Sequence, residues 1–203
     1  MQDPEVKEEK SILRRREPYN FMLGLGIFGM SLMFFILTML YLQRQARPDW
    51  VHFEMPLAFW VSSALILASS FTLHAANLSL RQEAFAFYRL WISLTLGLGL
   101  AFIGMQLWGW ALLQAQGITL QKSISGAFLF VISGLHIAHL LGGIWFLAIA
   151  WVEAFRYRKY VDSFIYSVNP PNQLRIRLIT KYWHFVDALW LYLFCFFTYF
   201  TAR

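Results

Sequence analysis

Two pairs of ionisable side chains have the types and spacing that chemistry requires. His136 and His139 are three residues apart in the stretch SGLHIAHLLGG, so on a helix they lie about 60° apart and share one face. His184 and Asp187 are likewise three apart, in KYWHFVDALWLYLF. Histidines on one face could bind zinc, iron or copper. A carboxyl group within a membrane span could relay protons, or it could be tied to His184 or to a basic or tyrosine group of a neighbouring helix.

A metal site would need further ligands, because metals in proteins generally take three or four. The remaining candidates are His74, on an earlier apolar segment, and the pair His184 and Asp187. At about 1.5 Å per residue, we expect His139 to lie roughly 18 Å from the end of its helix, with Asp187 about 9 Å and His184 about 5 Å from the start of theirs. This mismatch in depth favours buried histidines that each bond to a neighbouring helix over one compact metal site.

The elements that must position these residues are long apolar segments. Of the 203 residues, 59% are hydrophobic and only 14% are charged, a balance typical of a membrane protein and not of a soluble domain. A bilayer crossing needs about 20 apolar residues. The segments that qualify are roughly 20–42, 57–78, 90–114, 125–151 and 182–200. The sequence therefore predicts an all-α integral membrane protein. We expect a charged cytoplasmic tail over 1–19, either mobile or lying on the membrane surface, and one bundle of five transmembrane helices over 20–203.

The distribution of lysine and arginine predicts the orientation of this bundle. One side of the predicted bundle carries 13 of the 17 basic residues. This side consists of the segment before the first span and of the connections between spans two and three and between spans four and five. The segments on the other side carry the remaining four. Because cytoplasmic segments retain positive charge, we expect the amino terminus inside and the carboxyl terminus outside.

Other side chains within the spans suit packing better than catalysis. Gln106 is a buried amide that we expect to bond to another helix, and Gly142 with Gly143 leaves room for a neighbouring helix to approach closely. Tyr182 and Trp183 lie near the predicted start of the last span, where aromatic side chains anchor a helix at the membrane interface.

Several function classes are excluded or disfavoured by the sequence. Cys195 is the single cysteine, so an internal disulfide and a paired-cysteine metal site are both excluded. The arginines at 14–16 suit a membrane-edge anchor, and we expect no nucleic-acid partner. A transporter or proton channel is disfavoured because Asp187 is the only acid well inside a span and the sequence has no internal repeat. An autonomous membrane metalloprotein remains an alternative, with ligands from His74, His136, His139 and His184.

Three motifs resemble subunit III of the haem-copper oxidases, the cytochrome c oxidase subunit III family. YWHFVDALW, at 182–190, resembles the family's last-helix signature, in which a tryptophan, here Trp190, follows the aspartate by three residues. SGLHIAHLLGG resembles TGLHxxHVxxG, and TLGLGLAFIGMQLWGW, at 95–110, resembles TLGLxFxxxQxxEW. The resemblance runs from about Tyr19 to Thr201, and five spans match the short bacterial form of the family.

The resemblance implies a non-catalytic subunit with no haem, copper or other metal of its own. Its main contact would be oxidase subunit I, and its other partners would be subunit II and smaller oxidase subunits. The complex would oxidise cytochrome c, reduce dioxygen to water and pump protons. That complex could join a larger respiratory supercomplex in the bacterial inner membrane. The family is held to stabilise the catalytic subunit, to bind phospholipid between its helices and to support proton uptake. His136, His139, His184 and Asp187 then become motif residues of a structural bundle.

Two positions depart from the family's pattern. Many relatives carry a membrane-embedded glutamate in a SEVMFF-like context, and this chain reads MSLMFF with Ser31 in place of the acid. The EW of the third-helix pattern is Gly109-Trp110 here, so we expect no role that depends on either carboxylate. A quinol oxidase or a nitric-oxide-reductase-type complex remains an alternative assembly, because the electron-entry subunit, and not this one, distinguishes these complexes.

Overall fold

The part of the chain that the structure describes contains six α-helices and their connections. The computed structural model describes residues 4–45, 50–156 and 160–201, with side chains from residue 18 onward. In chain order the helices are α1 (Pro4–Gln45), α2 (Leu57–Arg81), α3 (Phe85–Ala115), α4 (Ile124–Arg156), α5 (Tyr160–Val168) and α6 (Pro170–Thr201). These ranges contain no strand, in agreement with the predicted all-α class.

Five of the helices are long and apolar enough to cross a membrane. They are α2, α3, α4, α6 and the part of α1 over 18–45. The predicted number of spans is therefore confirmed, and the chain is a multi-pass membrane protein. α1 itself begins at Pro4 and not near residue 20, so the described part of the charged segment before the first span is helical.

α6 begins at Pro170, twelve residues before the predicted start of the last span. The backbone carbonyl of Asn169 accepts the N–H groups of Asn172 and Gln173, at 3.1 Å each, which closes the first turn. Proline suits this position because its fixed φ matches a helix and its missing N–H would have no partner there. Hydropathy marks the part of a helix that lies in hydrocarbon, whereas helical hydrogen bonding continues through the charged residues that precede it.

α6 is the central element of the bundle. It packs on α1, α2, α4 and α5, while α2 and α3 form a hairpin beside it and α1 packs on α4 and α6 at the edge. Apolar side chains gain little by leaving lipid for a protein interior, so close packing and bonds between helices must hold such a bundle together. The buried side chains of α6 are therefore the place to look for those contacts.

The turn between α2 and α3 places a non-glycine residue in a left-handed conformation. Glu83 has φ of 58°, and the N–H of Ala84 donates to the carbonyl of Ser79 at 2.9 Å, as in a Schellman motif. α3 ends in the same way at Gly117, with φ of 82°. Glycine adopts this conformation without steric cost, whereas a side chain there costs about 1 kcal/mol.

Candidate functional site

Four serines of α2 form a polar stripe in the centre of the bundle. Ser62, Ser63, Ser69 and Ser70 recur at intervals that keep them on one helix face, and we call them the α2 serine stripe. The hydroxyls of the first three donate to carbonyls of their own helix, at 2.9, 2.8 and 2.7 Å. A hydroxyl that donates in this way still has lone pairs with which to accept a bond from another helix.

Two fully buried tryptophans of α6 donate to this stripe. The indole N–H of Trp190 donates to Ser63 at 3.0 Å, and that of Trp183 donates to Ser69 at 3.1 Å. Both side chains are 0% exposed. The sequence predicts Trp183 at the depth of the membrane interface, and the structure adds that its side chain faces the interior of the bundle.

Gln106 and His184 bond to the other two serines of the stripe. The side-chain amide of Gln106 donates to Ser62 at 3.0 Å, so the expected bond to another helix is present. Its carbonyl oxygen has no partner among the described residues. Nδ1 of His184 lies 2.6 Å from the hydroxyl oxygen of Ser70. Each bond of this kind between membrane helices contributes about 0.6 kcal/mol. We call the stripe and its four partners the polar helix interface.

Asp187 is buried beside this interface and does not bond to His184. Its carboxyl is 3% exposed, and neither carboxyl oxygen has a hydrogen-bond partner in the described part of the chain. Ser70 lies next to it, so the cluster contains a serine, a histidine and an aspartate. In a catalytic triad the imidazole bonds to both of the other groups. Here it bonds to the serine only, so the cluster lacks the geometry of an activated nucleophile.

His136 and His139 share a face of α4 but have different neighbours. The ring of His136 is fully buried against Trp190 and Phe102, with centroid distances of 5.2 and 5.8 Å. Neither of its nitrogens has a hydrogen-bond partner among the described residues. Nδ1 of His139 lies 2.7 Å from the carbonyl oxygen of Leu135, one turn earlier in the same helix. Neither histidine is therefore bonded to a neighbouring helix through its side chain in the described part of the chain, contrary to expectation: the ring of His136 packs against two aromatic rings, and Nδ1 of His139 bonds within α4.

Gly143 allows α4 and α6 to approach closely, whereas Gly142 is exposed. A Cβ atom added at Gly143 would lie 3.2 Å from Cε1 of Tyr182 and 3.4 Å from Cε3 of Trp183. At Gly142 the nearest atom is the hydroxyl oxygen of Tyr182, at 3.8 Å. That hydroxyl donates to the carbonyl of His139 at 2.9 Å, so the histidine motif of α4 is joined to α6 through its backbone.

The depth difference that argued against one metal site is wrong. α4 extends further than predicted and α6 begins earlier, so His139 and Asp187 each lie 17 residues, or about 26 Å, from the corresponding helix ends. The candidate ligands are separated laterally instead. The ring of His139 packs against Phe34 of α1 at 5.8 Å, whereas His184 bonds to α2. Within the described ranges, no three His, Cys, Asp or Glu side chains come together closely enough to hold a metal ion.

Gly109, which stands where the family's third-helix pattern has glutamate, has no space for a side chain. An added Cβ would lie 2.7 and 2.9 Å from Cε2 and Cζ of Phe59 on α2. Phe59 is itself fully buried and stacks on Trp190 at 6.3 Å. The departure from the family's pattern therefore coincides with a close contact between α2 and α3.

The α2 serine stripe is the part of the site that sequence reasoning missed. Single serines in an apolar span barely change its hydropathy and carry no charge, so reasoning from ionisable and amide groups does not find them. The serines could have been found from their spacing of seven residues, between Ser62 and Ser69 and between Ser63 and Ser70. This spacing places them on one face of a helix that must pack against a tryptophan-rich one.

The match to a known family decides what kind of bundle this is. The sequence model of the family described as Cytochrome c oxidase subunit III matches residues 20–202. The chain belongs to the cytochrome c oxidase subunit III family. All residues of the polar helix interface lie inside the matched region, together with His136, His139 and Asp187.

Curated members similar to this chain carry the names of two kinds of oxidase subunit. "Probable quinol oxidase subunit 3" of Staphylococcus saprophyticus is 28% identical over 143 residues, which cover 70% of this chain and 66% of that protein. "Probable quinol oxidase subunit 3" of Staphylococcus haemolyticus is 29% identical with the same coverage. "Cytochrome c oxidase subunit 3" of Corynebacterium diphtheriae is 32% identical over 143 residues, covering 70% of this chain and 65% of that protein. The chain thus spans slightly less than two thirds of each of these relatives.

Proposed function

We propose that this chain is the non-catalytic subunit III of a respiratory terminal oxidase. In that complex partner subunits hold haem and copper, dioxygen is reduced to water and protons are pumped, while this chain stabilises the catalytic subunit. The observation that carries the proposal is the family match over 20–202. The polar helix interface supports it, because its side chains are bonded between helices and are not arranged around a reacting atom.

The electron donor that we propose for the complex is cytochrome c, with quinol as the second candidate. The name of the Corynebacterium diphtheriae relative supports the first and those of the Staphylococcus relatives support the second. The polar helix interface holds helices together in either case. An electron paramagnetic resonance spectrum of the purified complex would distinguish the two donors, since a dinuclear copper signal from the electron-entry subunit is expected only with cytochrome c.

We propose oxidase subunit I as the main contact, together with subunit II and smaller oxidase subunits. We further propose that phospholipid binds between the helices and that the complex lies in the bacterial inner membrane. The outer side of α1 supports such surroundings, because it exposes a row of large apolar side chains, including Phe21, Met22, Leu25 and Phe28. Apolar surface of this extent requires lipid or a membrane-spanning partner. Membership of a larger respiratory supercomplex belongs to the same proposal.

Affinity purification in mild detergent tests the assembly. We expect the tagged chain to bring down oxidase subunits, and haem absorption bands to appear in that preparation but not in the chain stripped of its partners. Purification of the chain without any oxidase subunit would contradict the proposal. A metal bound stoichiometrically by the isolated chain would instead favour the autonomous metalloprotein.

Replacement of Asp187 tests whether its buried carboxyl takes part in the reaction. Because Ser70, the neighbour of Asp187, bonds to His184, Asp187→Asn leaves the polar helix interface intact, and we expect the assembled complex to retain most of its oxygen reduction. Oxygen consumption per haem is the measurement, with subunit stoichiometry as the control for assembly. Loss of oxygen reduction in a fully assembled, haem-replete variant would make Asp187 a functional acid.

Cysteine labelling tests the proposed orientation with the amino terminus inside. Starting from Cys195→Ser, the variants Gln82→Cys, in the turn between α2 and α3, and Lys122→Cys, in the connection between α3 and α4, each introduce one exposed thiol. A membrane-impermeant maleimide applied to intact spheroplasts is expected to label Lys122→Cys at once and Gln82→Cys only after lysis. The reverse pattern would invert the topology.

A further inference from the structure

α5 turns its apolar side outward and its polar side toward the protein. The outward side, which we call the α5 stripe, consists of side chains that are 37–64% exposed: Tyr160, Val161, Phe164, Ile165 and Val168. The opposite side carries Ser163, which is buried, and Tyr166. A helix on the surface of a soluble protein has the reverse arrangement. The α5 stripe therefore calls for apolar surroundings.

The first turn of α5 is attached to the turn between α2 and α3. The hydroxyl of Tyr160 donates to the carboxylate of Glu83 at 2.6 Å, and its ring lies 5.4 Å from that of Phe85. The hydrogen bond raises the pKa of Tyr160 above its ordinary value, because it favours the protonated phenol. Glu83, which holds a strained backbone conformation, thus also fixes one end of α5.

The second half of α5 is attached to α4 and α6. The hydroxyl of Tyr166 donates to the carboxylate of Glu153 at 2.6 Å and accepts a bond from Arg175 at 2.8 Å. Arg175 also forms an ion pair with Glu153. At the end of the helix, the side-chain amide of Asn172 donates to the carbonyl of Tyr166 at 3.2 Å. With both ends attached, α5 cannot rotate its apolar side inward without breaking these bonds.

The end of the bundle that carries α5 has a surplus of positive charge. The connection over 153–181 contains six lysines and arginines but two acids, and one of those acids, Glu153, is already paired with Arg175. Arg177 on α6 and Arg81 at the end of α2 are exposed at the same end. The turn after Arg81 adds one acid, Glu83, which accepts the bond from Tyr160. A helix with an outward apolar stripe beside exposed cations matches the chemistry of a leaflet that contains acidic headgroups.

We propose that α5 is an interfacial helix that inserts the α5 stripe among the acyl chains of one leaflet and gathers acidic phospholipids at the cations beside it. Interfacial helices bury an apolar face about 5–10 Å deep at the headgroup boundary. A protein partner could also cover an apolar stripe, but the surplus of positive charge favours a lipid surface. The proposal requires only that the chain spans a membrane, so it does not depend on the oxidase role.

Lipid-selective quenching of a single fluorophore tests this proposal. In a Cys195→Ser chain, Ile165→Cys is labelled with bimane and reconstituted in phosphatidylcholine vesicles that contain phosphatidylglycerol. Bromine is placed on the acyl chains of one lipid or the other at equal mole fraction. We expect brominated lipid to quench the label and aqueous iodide to leave it largely unquenched. Quenching is expected to be at least about twofold stronger when phosphatidylglycerol carries the bromine, given that each nearby cation contributes about 1 kcal/mol.

Matched variants keep the result interpretable. Val161→Cys reports on the same stripe if Ile165→Cys fails to fold, and Asp162→Cys, exposed at the polar edge of α5, is expected to remain open to iodide. Arg177→Gln is expected to bring the ratio of quenching by brominated phosphatidylglycerol to quenching by brominated phosphatidylcholine closer to one. Quenching of the stripe labels by iodide, equal quenching by the two brominated lipids, or shielding from both quenchers in the purified complex would each overturn the proposal, the last in favour of a protein partner.

Discussion

Trp190→Ala is expected to destabilise the bundle by about 3 kcal/mol or more, within the range observed for buried tryptophan truncations. The side chain of Trp190 is fully buried. Its ring packs against the rings of Phe102 and His136, with a centroid distance of 5.2 Å to each. Its indole N–H bonds to Ser63 of the α2 serine stripe. The variant removes contacts with α2, α3 and α4 at once and leaves a cavity that rigid aromatic neighbours cannot fill.

The measurement is the free energy of unfolding of the isolated chain in mixed detergent micelles. Trp145→Ala is the matched control, because Trp145 lies on α4 with 68% of its side chain exposed and is expected to change stability by less than about 0.5 kcal/mol. Trp190→Phe removes the hydrogen bond but keeps an aromatic ring, so it is expected to lower the free energy of unfolding by less than Trp190→Ala. Equal effects of Trp190→Ala and Trp145→Ala would show that α6 is not the packing centre of the bundle.

Gly109→Leu is expected to separate α2 from α3 and to lower stability by about 1–3 kcal/mol, the usual cost of overpacking. The first added carbon would already lie 2.7 Å from the ring of Phe59. Phe59 cannot move aside freely, since it is fully buried and stacked on Trp190. The strain would therefore pass from the hairpin of α2 and α3 to the contact of α2 with α6.

Gly104→Leu on the same helix is the control for this prediction. A Cβ at Gly104 meets nothing within 4 Å, and leucine is a better helix former than glycine by roughly 0.5–1 kcal/mol. In the isolated chain we expect Gly104→Leu to be neutral or stabilising. If the two leucine variants unfold at the same detergent fraction, the close contact between Gly109 and Phe59 does not limit stability.

Hydropathy was sufficient to predict the membrane spans but not the lengths of the helices. The apolar part of α6 starts near Tyr182, as predicted, and yet the helix begins at Pro170, since charged residues outside the hydrocarbon remain helical. That difference in helix length removed the depth argument about His139 and Asp187. The error follows from equating a helix with its apolar part.

The side-chain partners were less predictable than the helices. Sequence spacing shows that His136 and His139 share a face, but about 60° of rotation suffices to place one against aromatic rings and the other near α1. The bond between His184 and Ser70 joins residues 114 apart in the chain. Such a pair depends on which helices become neighbours, and apolar periodicity within one span carries little information about that choice.

The central place of α6 also determines when the bundle can mature during synthesis. Among the described spans α6 is the last in the chain, so α1 to α4 enter the membrane before it. Until α6 follows, Ser63 and Ser69 lack the tryptophans that bond to them in the finished bundle. Before α6 follows, α3 can already pack on α2 and on α4, to which the indoles of Trp110 and Trp151 bond it, whereas the contacts of α1, α2 and α4 with α6 are still missing. We therefore expect the bundle to be completed only when its last described span has entered the membrane.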